Sequence, residues 1–347
     1  MKSATAGALR HVLTHLLTPL LMCVGMGLAY LGAFAHPAPH DLPVAVVGSG
    51  PSAQALARTL ADKAGDGLAV HTVADRAQAE DQLRHQDIFG AYVPGERTPE
   101  LLVASAGSDT TAAVVQKVFT PVAARQGAPL KVTDIAPPAK DDPTGQGIFF
   151  LLVALSIGSY ASVAVIGGAG AVLPLRVRAL LAGATSLVVS VIGVVLAGPV
   201  FHLVDHGLGG LWAMAWLYSA GVLLIGTGLH TFLKRWTTLG MMVLFVMLNF
   251  TSSGGIFRPE LQNGFFAPLH DVWNGAAFVE GTRGLAYFDG IGLGGHVLTL
   301  VLWLIAGLTV TALAWAAENR RPAKPVTTGS AGAGADAEEE MEEAVGV

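Results

Sequence analysis

Charge is scarce in this 347-residue sequence. Asp, Glu, Lys and Arg make up 13% of it and hydrophobic residues 52%, whereas ordinary soluble domains carry about twice that charged share. Mean hydropathy is +0.56. Cysteine is nearly absent: Cys23, the one present, lies in the first apolar run and can form no intramolecular disulfide. Any soluble part must then hold together by packing alone. Several motifs are missing too. No G-x-x-x-x-G-K-[ST] phosphate loop occurs, so the chain is not expected to hydrolyse ATP by itself. No G-x-S-x-G, H-E-x-x-H or Ser/His/Asp set is visible, and the expectation is a non-enzyme without a cofactor. No basic surface suggests nucleic acid. The net charge of −5 misleads, because much of the acid sits in one terminal tail, Asp336 to Glu343.

What the sequence has instead is long apolar runs. A spanning helix needs roughly 20 apolar residues to cross a core of about 30 Å. Six stretches qualify: 12–35, 147–173, 179–203, 209–231, 239–257 and 291–317. As drawn, none contains Asp, Glu, Lys or Arg. Basic residues collect at alternate ends: Lys2 and Arg10, then Arg176 and Arg178, then Lys234 and Arg235, then Arg320, Arg321 and Lys324. The positive-inside rule then puts both termini in the cytoplasm and makes 36–146 and 258–290 external. Ala33-Phe34-Ala35 resembles a signal-peptidase site, but the run before it exceeds the usual 7–15 residues, which favours an uncleaved anchor.

Residues 36–146 read differently. Strand-like runs at 42–47, 68–73, 88–93, 101–105 and 131–135 alternate with helical patterns at 52–63, 75–85 and 108–126, the signature of a small α/β domain. The fold class expected is thus an α-helical membrane protein with six transmembrane helices and a small external α/β domain between the first and second. Its parts are 1–35, 36–146, a five-helix region 147–319 and a disordered acidic tail 320–347.

Within that frame a few residues could carry chemistry. Gly48-x-Gly50-x-x-Ala53 approximates a dinucleotide fingerprint. Pro51 removes a donor from the loop, and the plainer expectation is a Gly-rich turn with Ser52 as helix cap. His202, Asp205 and His206 could ligate a metal but read more simply as a solvated turn. His11 and His15, one helical turn apart, read as marking the start of a helix, and His270-Asp271 is ambiguous. Proton-coupled carriers keep ionisable groups at mid-membrane, and here Asn249 is the strongest polar group in a span. The segment 254–290 is too apolar for a free loop and is broken by Gly254, Gly255, Pro259, Gly264 and Pro268. It is expected to dip into the outer leaflet as one or two short helices, or to form a surface cap. Asn249, Gly254, Gly255, Pro259, Glu260, Pro268, Glu280 and Arg283 are the candidate exit residues.

Two stretches, SGGIFRPELQNGFFAPLHDVWNGAAFVEGTRGLAYF before the last span and DDPTGQGIFFLLVALSIGSYASVAVIGG leading into the second, resemble the type-2 ABC exporter permeases, in particular the branch related to phage-infection proteins. LPVAVVG and ELLVASAG in the α/β domain add to the likeness. The resemblance implies a bacterial plasma-membrane permease, a homodimer or heterodimer of six-span halves. It would export a lipid-like or amphipathic compound with force from a separate cytoplasmic ATPase. Pro174, Arg176 and Arg178, with the N-terminal stretch 2–11, would be the coupling elements. The alternative expectation is a non-transporting receptor or scaffold whose external domain binds a surface partner.

Overall fold

The computed structural model describes residues 2–95 and 98–320; the expected acidic tail, and the side chains of Lys2, Arg10, His11 and His15, fall outside the described residues. The chain is mostly helical, with one small mixed sheet. Helix α1 (Lys2–Phe34) comes first, and Cys23 on it is exposed. A five-stranded sheet follows, built from β1 (Leu42–Val47), β2 (Leu68–Val73), β3 (Ala91–Val93), β4 (Glu100–Val103) and β5 (Lys131–Asp134) in the order β2-β1-β3-β4-β5. All neighbours are parallel except β3 and β4, which pair antiparallel with Tyr92 opposite Leu101.

Helices α2 (Pro51–Ala64), α3 (Arg76–Arg84) and α4 (Asp109–Arg125) connect the strands. One side of the sheet packs Val44, Val46, Tyr92 and Leu101 under α2 and α4, with Tyr92 and Phe119 stacked at 5.3 Å. The other side packs Ala45, Ala91 and Leu102 against Ala79 and Leu83 of α3. This explains why β1 reads as an unbroken apolar run: it is covered on both faces. Asp75 caps α3 by accepting from Gln78 N at 2.9 Å, and Ser108 caps α4 by accepting from Thr111 N at 3.2 Å. Ser52 is not the cap of α2. Gly50 occupies that place without a side-chain bond, because Pro51 already fills the first helical position.

The remaining helices form a bundle: α5 (Gly147–Gly167), α6 (Leu175–Val195), α7 (Leu208–Leu233), α8 (Thr237–Met242), α9 (Asn249–Ser252), α10 (Ala267–His270), α11 (Asn274–Tyr287) and α12 (Leu293–Asn319). Asp142 starts α5 by accepting from Gly147 N at 2.7 Å. Helix α7 is central, and glycines let α12 lie close to it: a Cβ on Gly228 would sit 2.8 Å from Thr311 N.

Five elements are long and apolar enough to cross a bilayer: Val12–Phe34, Gly147–Gly167, Leu175–Val200, Leu208–Ser252 and Leu293–Asn319. The fourth merges two stretches that the sequence separates. It turns at Lys234, which has φ 49°, and α8 folds back so that Met241 approaches Gly226. Its second arm ends at Ser252, earlier than the expected 257. Helix α6 starts at Leu175, ahead of the charge-free stretch, and takes in Arg176 and Arg178, and α12 runs past its stretch to Asn319 and takes in Glu318. Arg178 and Glu318 form a partly buried ion pair between α6 and α12.

Candidate functional site

The segment after α9 reverses at Gly254, which has φ +71°. Only glycine fits: a Cβ there would lie 2.7 Å from His270 Cε1, and one on Gly255 would lie 2.1 Å from Phe149. The turn leaves backbone carbonyls buried, and Arg283 on α11 satisfies them. It donates to Gly254 O at 2.9 Å and Gly255 O at 3.3 Å, and to Glu280 Oε1 at 2.9 Å. Unpaired carbonyls in an apolar interior would each cost several kcal/mol by rough transfer estimates. Helix α11 is itself buried on nearly every face, so this segment is part of the bundle rather than a surface cap.

Arg258 extends the cluster. It donates to Glu280 Oε2 and to Gln86 Oε1 of the sheet domain, both at 2.9 Å, and its guanidinium lies 4.5 Å over the Phe89 ring. Its Nε is 3.4 Å from Glu260 Oε2. Burial pushes the Glu280 carboxyl up, but Arg258 and then Arg283 more than offset this and hold it below the usual carboxylate range. His270 Nδ1 lies 2.9 Å from Ser252 O. That carbonyl can only accept, so the bond requires the proton on Nδ1. Burial lowers the His270 imidazole despite Glu280.

Around these groups lies a cavity of about 460 Å³. Its wall comes from three parts of the fold: Gln86 of the sheet domain, Arg258, Glu260 and Asp271 of the broken segment, and His296 of α12. The same seam is tied by Thr110 Oγ1 donating to Ile256 O at 2.8 Å, and by His40 N donating to Glu260 O at 2.8 Å.

Of the residues singled out in the sequence, Gly254, Gly255, Glu280 and Arg283 converge here, and Pro259 and Glu260 line the cavity. Pro268 is exposed on α10, away from the cluster. Asn249 belongs to a separate chain of bonds inside the bundle. Its Nδ2 donates to Tyr218 Oη at 2.8 Å, and that hydroxyl is 2.6 Å from Ser156 Oγ. Pro174 and Arg176 are exposed, while Arg178 is buried against Glu318 and presents no free charge. His202 and Asp205 are exposed and 3.9 Å apart. Gly48 and Gly50 do form a strand-turn-helix corner, with Gly48 close to Ala53. Among the described residues no group of three or more metal-ligating side chains gathers.

Sequence reasoning missed Arg258 and Gln86, set His296 aside as lying near a span end, and left His270 open. The available signal was an Arg and an acid, Arg258 and Glu260, flanking Pro259 at the start of the broken segment. Gln86 gave none, because only its left-handed backbone, φ 60°, turns it toward the seam.

No family model matches the chain, and no curated protein or solved structure matches it either.

Proposed function

We propose that this chain is the membrane permease subunit of an ABC-type efflux system, exporting a lipid-like or amphipathic compound with energy from a separate cytoplasmic ATPase. In this reading the element Leu208–Ser252 counts as two spans folded at Lys234, which makes six. Both termini and the basic turns then lie in the cytoplasm, the sheet domain lies outside, and two such chains, or this one and a homologue, pair in the bilayer.

One observation carries the reading. Among the described residues, charged side chains of the bundle stand only at its two ends: Arg178, Glu318 and the Lys234–Trp236 turn at one, the Arg258–Glu280–Arg283 cluster at the other. Between them the buried polar groups are uncharged hydroxyls and amides, such as Ser156, Tyr218, Asn249 and Asn274. A carrier driven by protons or ions needs an ionisable group in that middle zone, so the work must come from elsewhere. Exposed Pro174 and Arg176 offer a contact for a motor, and the Arg178–Glu318 pair links that turn to α12, which reaches the cavity at His296.

Purification from native membranes in mild detergent should recover an ATPase with the chain, and deletion should raise sensitivity to amphipathic toxic compounds. Recovery without any ATPase, together with unchanged sensitivity, defeats the proposal. The second reading, a non-transporting receptor, draws support from the sheet domain supplying part of the cavity wall. Under it, Gly255→Ala would leave the cell phenotype unchanged.

A further inference from the structure

We infer that the N-terminus of α11 is a binding site for the uncharged, hydroxyl-bearing head of an amphipathic molecule. Helix α11 starts deep in the bundle. Just past its last residue, Phe288 packs against Ala106 and Ala136 of the sheet domain. From that end the helix lies antiparallel along α7: a Cβ on Gly210 would meet Leu285, one on Gly281 would meet Met214, and the Phe278 ring is 5.6 Å from that of Tyr218. Tyr218 is the eleventh residue of α7, about 15 Å from its start at 1.5 Å per residue, and Asn274 lies one turn deeper than Phe278. The helix thus begins near the middle of a hydrocarbon core of about 30 Å. Just before it, Val272 O accepts from Trp303 Nε1 of α12 at 2.8 Å.

No side chain caps this start. Among the described residues, the N–H groups of Asn274, Gly275 and Ala276 have no acceptor, and all three residues are buried. Asn274 is fully buried, yet neither its Oδ1 nor its Nδ2 makes a hydrogen bond. Asn249 Oδ1, also without a bond, lies against Gly275, where a Cβ would sit 2.1 Å from it. Buried polar groups are nearly always partnered, so this set calls for a partner of its own. Its backbone groups want an acceptor and its two amide oxygens want a donor, and a hydroxyl is both. An ammonium has no acceptor for the N–H groups and would face the positive end of the helix. A carboxylate would face exposed Asp271 just before the helix, while Arg283 stands about 13 Å further along it. Either charge is costly at this depth, and a neutral head is not. Ala276 is also on the wall of the seam cavity and Val272 is exposed, so the site can be reached from the cavity and from the lipid-facing side. The inference goes beyond the exporter reading and rests on it only for the claim that the bound molecule is cargo.

The test uses the full chain in phosphatidylcholine nanodiscs, with monododecanoylglycerol, dodecanoate and dodecylamine as probes and empty nanodiscs as the blank. The glycerol ester should bind saturably above the blank and the two charged probes should not. Asn274→Ala removes the amide. Asn274→Pro removes the amide and one N–H together; proline suits the first helical position, and Trp273 before it is already extended, with φ −83° and ψ 141°. Asn274→Ala should keep the thermal midpoint of the parent chain, because the amide it removes holds no bond within the protein. Both variants should weaken binding of the ester by about tenfold or more, the scale of one or two neutral hydrogen bonds. Equal binding of a charged probe, or unchanged binding in both variants, overturns the inference. A lowered midpoint for Asn274→Ala also overturns it, since the amide would then be bonded inside the protein. Uptake of the ester no greater than by empty discs assigns the bare groups to water and overturns it as well. Efflux of the ester from energised cells tests the exporter reading separately: binding without efflux sinks that reading and leaves the site standing.

Discussion

Arg258 of the broken segment and Gln86 of the sheet domain, 172 residues apart in the chain, are joined by a 2.9 Å hydrogen bond at the seam between the two halves of the fold. Gln86 reaches it from a left-handed backbone, φ 60°, a conformation that costs a non-glycine residue energy and persists only when its surroundings hold it. The bond, the Phe89 ring under the guanidinium and Glu280 on its far side together fix where the sheet sits over the bundle.

Replacing Arg258 should therefore loosen the whole molecule at one place. Arg258→Ala leaves Glu280 with a single counter-charge and Gln86 without a partner. Removing one partner of a buried pair costs about 3–5 kcal/mol, so a clear fall in thermal midpoint in detergent is expected. Gln86→Ala removes only a neutral acceptor and should cost less, about 1–3 kcal/mol. Equal effects from the two would mean that the charge pair contributes nothing.

Gly254 and Gly264 make a matched pair within the same segment. Gly254→Ala forces a Cβ against His270 and Glu280 at φ +71°, whereas Gly264 has open space around its Cβ position. A left-handed backbone with a side chain costs roughly 1–2 kcal/mol before any clash. Stability should drop for the first and hardly change for the second. A harmless Gly254→Ala would refute the placement of the turn.

How far these features could be read from the sequence depends on their range. The strands and helices of the α/β domain were legible to within three residues, and β1 and β2 to the residue, because these two are apolar runs bounded by turn residues and Ser108 is a local cap. The apolar helices were legible because length and hydropathy are local as well. The turn at Lys234 was read as a loop between two spans, and the helix does break there, at a left-handed Lys234 with φ 49° that opens the short turn Lys234–Trp236. The burial of Arg178 could not be read, because its partner Glu318 lies 140 residues away. Glu280 and Arg283 were visible as candidates from their setting, but Arg258 and Gln86 acquire meaning only when the sheet lands on the bundle.

The sheet domain should carry its own acid limit. Thr133 Oγ1 donates to Glu100, and Arg76 and Lys131 add ion pairs, which hold the Glu100 carboxyl down to about 2 against the effect of burial. A carboxyl depressed in the folded state stabilises above its unfolded value, about 4.3, and that contribution disappears as pH falls from there toward about 2. Hydrogen exchange of backbone amides in β4 and β5 should quicken over that window in the native chain. In Glu100→Gln the same amides should show no such slope; an identical slope would assign it to another group.

Helix contact in the bundle can be probed at Gly228. A Cβ there would meet Thr311 N at 2.8 Å and Val310 Cγ1 at 2.9 Å, and backbone cannot step aside as a flexible side chain can. Gly228→Ala should push α7 and α12 apart and cost about 1–3 kcal/mol. Gly209→Ala near the start of α7, where no atom lies within 4 Å, is the control. Comparable losses at both positions would argue against close α7–α12 packing.

The other end of the bundle separates a docking charge from a structural one. Arg176 is exposed and Arg178 is buried on Glu318, which also accepts from Thr231 Oγ1 at 3.1 Å. Arg178→Ala strips Glu318 of its counter-charge and should lower the thermal midpoint of the isolated chain. Because Glu318 is about a third exposed, water compensates part of the loss and the drop should be smaller than for Arg258→Ala. Arg176→Glu should leave that midpoint where it is. If the turn at Pro174 is where a motor subunit presses, Arg176→Glu should nevertheless abolish efflux and weaken recovery of the ATPase, because the sign of the docking charge has changed. A stable Arg176→Glu variant with full efflux would remove this turn from the coupling path and would leave the Arg178–Glu318 pair as a structural tie alone.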